Sequence, residues 1–283
     1  MNEPLELDRV GDIAANYDAL LCDAWGVIHN GRALFDGAAE FLQTFRAERG
    51  PVIILTNAPK PSDVIPGQLD RLGLPRDAYD RVVTSGDATR AEIAKCASGV
   101  AHRIGWDSDE VLYAGIDVTF GPLCDADFIV CTGLADESGY NPEYYRPLLE
   151  APAKAGKDMI CANPDIVVNW RGQLIYCAGA VAQIYEQMGG HVIYAGKPHP
   201  AVYELAFDAI TEEAGVRIPP DRILAIGDGA NTDILGANRQ NVDAIYITGA
   251  GGVHGGADDG TSIKDALHKF GAHAMAHAQR LTW

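Results

Sequence analysis

At 283 residues, with 47% apolar side chains, the chain is long enough for two lobes and a substantial core, which excludes global disorder. A formal net charge of −17 excludes nucleic acid and anionic membrane as partners, because both demand clustered Lys and Arg; a small phosphorylated ligand held through a cation is not excluded. Six cysteines with neither CxxC nor zinc-ligand spacing read as reduced thiols, and the absence of a leader or of ~18 consecutive apolar residues predicts a soluble, cytoplasmic protein.

Short apolar runs alternate with amphipathic segments, the rhythm of strands feeding helices in a parallel sheet. In chain order the predicted strands are Ala19–Cys22, Pro51–Leu55, Arg81–Val83, Val111–Ala114, Phe128–Cys131, Met159–Ala162, Val192–Tyr194, Ile223–Ile226 and Ala244–Ile247. Most are continuous apolar runs, suited to strands covered by helices on both faces, so a doubly wound α/β sheet is expected. The stretch Ser262–Ala278 reads as a helix carrying His273 and His277 on a solvated face, and Gly249–Gly260 reads as a glycine-rich loop without phosphate-cradle spacing.

Several predicted strands end in small, polar or acidic residues: CDAWG, TNAPKP, TSGD and GDGANTD. Ligands of open parallel sheets sit beyond the carboxyl ends of the strands, so chemistry is expected there. Asp23 follows the first run, with Gly26 and Gly31 free to turn the backbone, and a carboxylate at that edge has the chemistry to attack phosphorus. Asp228 and Asp233 follow another run, where Gly227 and Gly229 permit close approach; carboxylates from two strand ends make a hard-oxygen site suited to magnesium. Thr56 and Asn57 offer a hydroxyl and an amide to phosphoryl oxygens, and Lys197 in GKPHP offers the charge that steadies them.

Those segments, with ANPD at Ala162–Asp165 and CAGA at Cys177–Ala180, resemble in this order the haloacid dehalogenase-like superfamily. The long interval between Asn57 and Lys197 resembles its class IIA branch, the NagD-like and nitrophenylphosphatase group. The resemblance implies a Rossmann-like core of residues 1–87 and 189–283 with an inserted α/β cap over 88–188. It implies a phosphatase in which Asp23 is the nucleophile, forming an aspartyl-phosphate. Magnesium would be held by Asp23, Asp228, Asp233 and the backbone carbonyl of Trp25. Thr56, Asn57 and Lys197 would bind the phosphate of a small metabolite, the segment Cys177, Ala178, Gly179 and Ala180 would face the leaving group, and the caps would pair two copies into a homodimer.

The pattern breaks at Trp25, where the family's phosphatases carry a second aspartate that protonates the leaving oxygen. An indole neither gives nor takes a proton near neutrality. General acid-base assistance is worth ~10²–10⁴ in rate, so a slow enzyme restricted to good leaving groups is expected. His29, in the same loop, is the substitute donor that the sequence offers, and Trp25 itself can line a pocket or stack on substrate. The rival expectations are a phosphate- or metabolite-binding protein without turnover, and a phosphotransferase.

Overall fold

The computed structural model describes residues 4–96, 99–170, 173–249 and 262–283; the glycine-rich stretch, from residue 250 onward, lies outside them. Along the chain the strands are β1 (Leu5–Glu6), β2 (Ala19–Cys22), β3 (Val52–Thr56), β4 (Arg81–Thr84), β5 (Val100–Ile104), β6 (Thr119–Phe120) and β7 (Phe128–Cys131). They continue as β8 (Asp158–Cys161), β9 (Val167–Trp170), β10 (Gln173–Tyr176), β11 (His191–Tyr194), β12 (Ile223–Gly227), β13 (Asp243–Ile247) and β14 (Ala276–Ala278).

The contacts divide the chain into two compact units. One comprises Met1–Thr56, Asp63–Val83 and Tyr203–Trp283; the other comprises Asn57–Ser62 and Thr84–Val202. A seven-stranded sheet, in the order β1-β14-β13-β12-β2-β3-β4, forms the frame of the first unit. The pairs β2–β3, β2–β12, β12–β13, β13–β14 and β14–β1 are parallel. All of the side chains of β2, β3 and β12 are buried, which is why those runs lack polar alternation. From β2 the chain winds outward to β3 and β4, whereas from β12 it winds the other way to β13 and β14. The reversal falls between neighbours β2 and β12, and a crevice at their carboxyl ends follows from it.

The second unit carries a five-stranded parallel sheet in the order β11-β8-β7-β5-β6, together with the antiparallel hairpin β9–β10. Ile104, Cys131, Cys161 and Tyr194 stand in one row across β5, β7, β8 and β11. This sheet takes in β11, beyond the 88–188 segment expected for the cap, because His191–Tyr194 pairs along the whole of β8. A cluster of buried Ile129, Leu149, Met159, Val181 and Tyr185 packs between the sheet and its helices.

Two expected elements are corrected. Val111–Ala114 is not a strand but the end of the 3-10 helix Asp107–Tyr113, while the true strand there, β5, was hidden by exposed Arg103 and half-exposed His102. At the C-terminus the helix is only Ile263–Lys269. Gly271, at φ 66°, turns the chain into β14, so His277 is a strand residue and shares no helix face with His273.

Candidate active site

In the first unit, Asp23 directly follows β2 and Asp228 directly follows β12, on the two strands that flank the reversal. Cys22 stands beside Ile226 in the ladder, and the Asp23 amide donates to the carbonyl of Ile226 at 2.9 Å, which fixes the register of the two strand ends. Asp233 comes from the wide helical turn Ala230–Ile234, a π-type turn of the sort often found at functional sites. One oxygen from each of Asp23, Asp228 and Asp233 lies within 4.8 Å of the others, and all three residues are buried.

Two approaches in this cluster require glycine. A Cβ at Gly26, whose φ is 87°, would run into the Asp228 carboxylate, and a Cβ at Gly227 would run into the Asp233 side chain. The Gly229 amide donates to Asp233 Oδ2 at 3.0 Å. The cluster also imposes a negative field: the buried phenol of Tyr246 is pushed up first by burial and then by Asp228 and Asp233. Three buried carboxylate oxygens so close together fit a hard divalent cation, which takes one or two carboxylates together with water and phosphate oxygens.

The loop after Asp23 folds back upon itself. Half-buried Trp25 lays its indole over Gly31, where a Cβ would collide with the ring, and meets His29 edge-on at a centroid distance of 5.5 Å. His29 Nδ1 accepts from the Gly31 amide at 3.1 Å, so the ring's proton sits on Nε2. Burial lowers the pKa of His29 to about 4, so its ring is neutral at neutral pH. His29 is therefore not the protonated substitute for an acid that the sequence suggested. Thr56 ends β3 and is buried at the carboxyl edge of the first sheet.

The peptide bond from Thr56 to Asn57 crosses into the second unit, where Asn57 and Lys197 are both buried. The Asn57 amide is turned to the protein. Its Oδ1 accepts from the Lys197 amide at 2.7 Å, and its Nδ2 donates to the Lys197 carbonyl at 3.2 Å and to Asp165 Oδ1 at 2.9 Å. Both polar ends of that side chain hold the Lys197 turn. Cys177, Ala178, Gly179 and Ala180 are also buried, at and just inside the start of the helix Ala178–Gln187. Ala178 joins the apolar cluster, and Gly179 packs on backbone oxygens of Pro164 and Asp165. Sequence reasoning gave Asp165 no role, although its place in ANPD, one turn beyond β8, was the available signal.

The geometry has counterparts among known proteins. A family model described as haloacid dehalogenase-like hydrolase matches residues 20–118, and a second model of the same kind matches residues 194–273. A crystal structure of a haloacid dehalogenase-like hydrolase from Brucella suis is 40% identical, covers 99% of this chain and 100% of its own, and superposes with a TM-score of 0.87. The acid sugar phosphatase of Staphylococcus saprophyticus is 25% identical over 82% of this chain and 86% of its own length. The ribonucleotide monophosphatase NagD of Escherichia coli is 25% identical over 81% and 86%.

Proposed function

The chain belongs to the haloacid dehalogenase-like hydrolases and is a phosphoric monoester hydrolase; we propose that it acts through an aspartyl-phosphate on Asp23, with magnesium, on a small phosphorylated metabolite. The observation that carries this reading is the convergence of Asp23, Asp228 and Asp233 at the reversal of a parallel sheet. Magnesium held by Asp23, Asp228 and Asp233, with a carbonyl from Trp25, would screen the carboxylate from the phosphate.

Asp23 attacks phosphorus as its carboxylate; the bond to the leaving oxygen breaks with its electron pair on that oxygen, and water then cleaves the aspartyl-phosphate to restore Asp23. Thr56 donates its hydroxyl to the phosphoryl oxygens, and the Lys197 ammonium offsets the charge that grows on them. No side chain at position 25 protonates the leaving oxygen, and His29 is neutral. Esters whose leaving groups need little protonation are therefore the preferred substrates. The relatives that act on sugar phosphates and ribonucleotides support a metabolite of that size.

The test is phosphate release from p-nitrophenyl phosphate by the parent and by Asp23→Asn, each with magnesium and with chelator. Release by the parent that needs magnesium, and falls by on the order of 10³-fold or more in the variant, is the expected result. Equal release by parent and variant contradicts the assignment of Asp23.

A further inference from the structure

Four sequence motifs of the second unit meet in one hydrogen-bonded knot, with Asn57 of TNA at its centre and Lys197 of GKPHP, Asp165 of ANPD and Gly179 of CAGA around it. Asp165 is itself fixed: its amide donates to Asn163 Oδ1 at 3.0 Å, and its carbonyl accepts from the Gly179 amide at 3.2 Å. The same Gly179 amide reaches the Asn163 carbonyl at 2.9 Å. A Cβ at Gly179 would collide with the carbonyl of Pro164, and one at Gly196 would collide with Asn57 Oδ1, so both glycines are dictated by the closeness of the knot.

An asparagine amide has two nearly isosteric orientations, and only one of them serves both polar groups of the Lys197 backbone. A carboxylate offers acceptors alone, so Asp165 meets the NH₂ side of Asn57 and leaves Oδ1 for the Lys197 amide. The partners of Lys197 would be mismatched in the flipped amide, at the cost of a buried N–H facing an NH₂ group.

We propose that Asp165 is a positioning residue: through Asn57 it fixes the turn that carries Lys197, so that ANPD and CAGA serve the phosphate-binding lysine and not leaving-group recognition. The importance for turnover rests on the phosphatase reading above; the placement of the turn does not.

The experiment compares Asp165→Asn, Asp165→Glu and Asn57→Ala with the parent in full-length protein, using amide hydrogen exchange over 195–199 and steady-state release from p-nitrophenyl phosphate. Asp165→Asn is expected to speed exchange at Lys197 and to lower kcat about tenfold with KM within about twofold, as befits a displaced charge acting chiefly in the transition state. Asp165→Glu, which keeps an acceptor-only group, is expected to retain more of the protection and of the rate, and it carries the test if Asp165→Asn does not fold. In an Asn57→Ala background the Asp165→Asn change is expected to add nothing further.

Unchanged exchange at Lys197 in Asp165→Asn overturns the proposal, whether or not the parent is active. So does a full additional loss in the Asn57→Ala background. Loss of one limb of the pH–rate profile in Asp165→Asn would also overturn it, by showing that Asp165 exchanges protons itself. A parent that releases no phosphate refutes the phosphatase reading, while the exchange measurement still decides the clamp.

Discussion

The two units handle polar groups in opposite ways. At the end of β2 and β12 the first unit gathers three buried carboxylates of like charge within 4.8 Å. Around Asn57 the second unit builds a network in which each group meets its complement: amide against carbonyl, and NH₂ against carboxylate. The first arrangement sets carboxylates side by side, where a bound cation would offset their mutual repulsion; the second ties amide, carbonyl and carboxylate together and stiffens the backbone that it holds. Phosphoryl transfer in general draws on both kinds of arrangement, carboxylates that can receive a metal and a cation held by a stiff turn.

The sharpest way to break this comparison is to remove one charge from the crowded cluster. Asp228→Asn is expected to abolish magnesium-dependent turnover, with a loss of on the order of 10² or more. Without metal, the same variant is expected to be more stable than the parent by about 1 kcal/mol, because the remaining carboxylates repel less. Melting in chelator checks this, and a variant that melts below the parent would mean that the carboxylates are not in conflict. Asp165→Asn, in the satisfied network, should change stability in the opposite direction.

A smaller effect sharpens the account of the loop after Asp23. Trp25→Asp supplies an acid at the position where the indole now lies over Gly31. It is expected to raise kcat for an alkyl phosphate ~10-fold or more, and to raise that for p-nitrophenyl phosphate far less, since the aryl oxygen departs unprotonated. Equal gains for the two esters would show that the indole limits access and not proton transfer.

The sequence was most legible where one strong constraint acts alone. β2, β3 and β12 are continuous apolar runs buried along their length, and a polar residue stands at the end of β3 and directly after β2 and β12. Asp23, Asp228 and Asp233 were readable for the same reason, as were the glycines that let them approach. β5 was not readable, because it is covered on one side only by the two-residue β6, and its outward His102 and Arg103 break the apolar run. Val111–Ala114 was misread because VLYA is apolar enough for a strand, while its hydrogen bonds turn locally into a 3-10 helix that stops before Gly115 at φ 74°. The hydrogen-bond partners of Asn57 were hidden for another reason: motif spacing names the residues at a site but not which way each amide or side chain turns. That direction is set by partners such as Asp165, more than a hundred residues distant.

The central claim is that Asp23 becomes phosphorylated during turnover. Acid quenching of the enzyme with magnesium and p-nitrophenyl phosphate, followed by peptide mass mapping, tests it directly. A phosphoryl adduct on the peptide that contains Asp23, absent with chelator and in Asp23→Asn, is the predicted result; without an aspartate at position 25 to activate water, the adduct should accumulate. Sustained turnover with no adduct at any quench time, and with inversion instead of retention of configuration at a phosphorus made chiral by oxygen isotopes, would contradict it, since water would then be attacking the substrate itself.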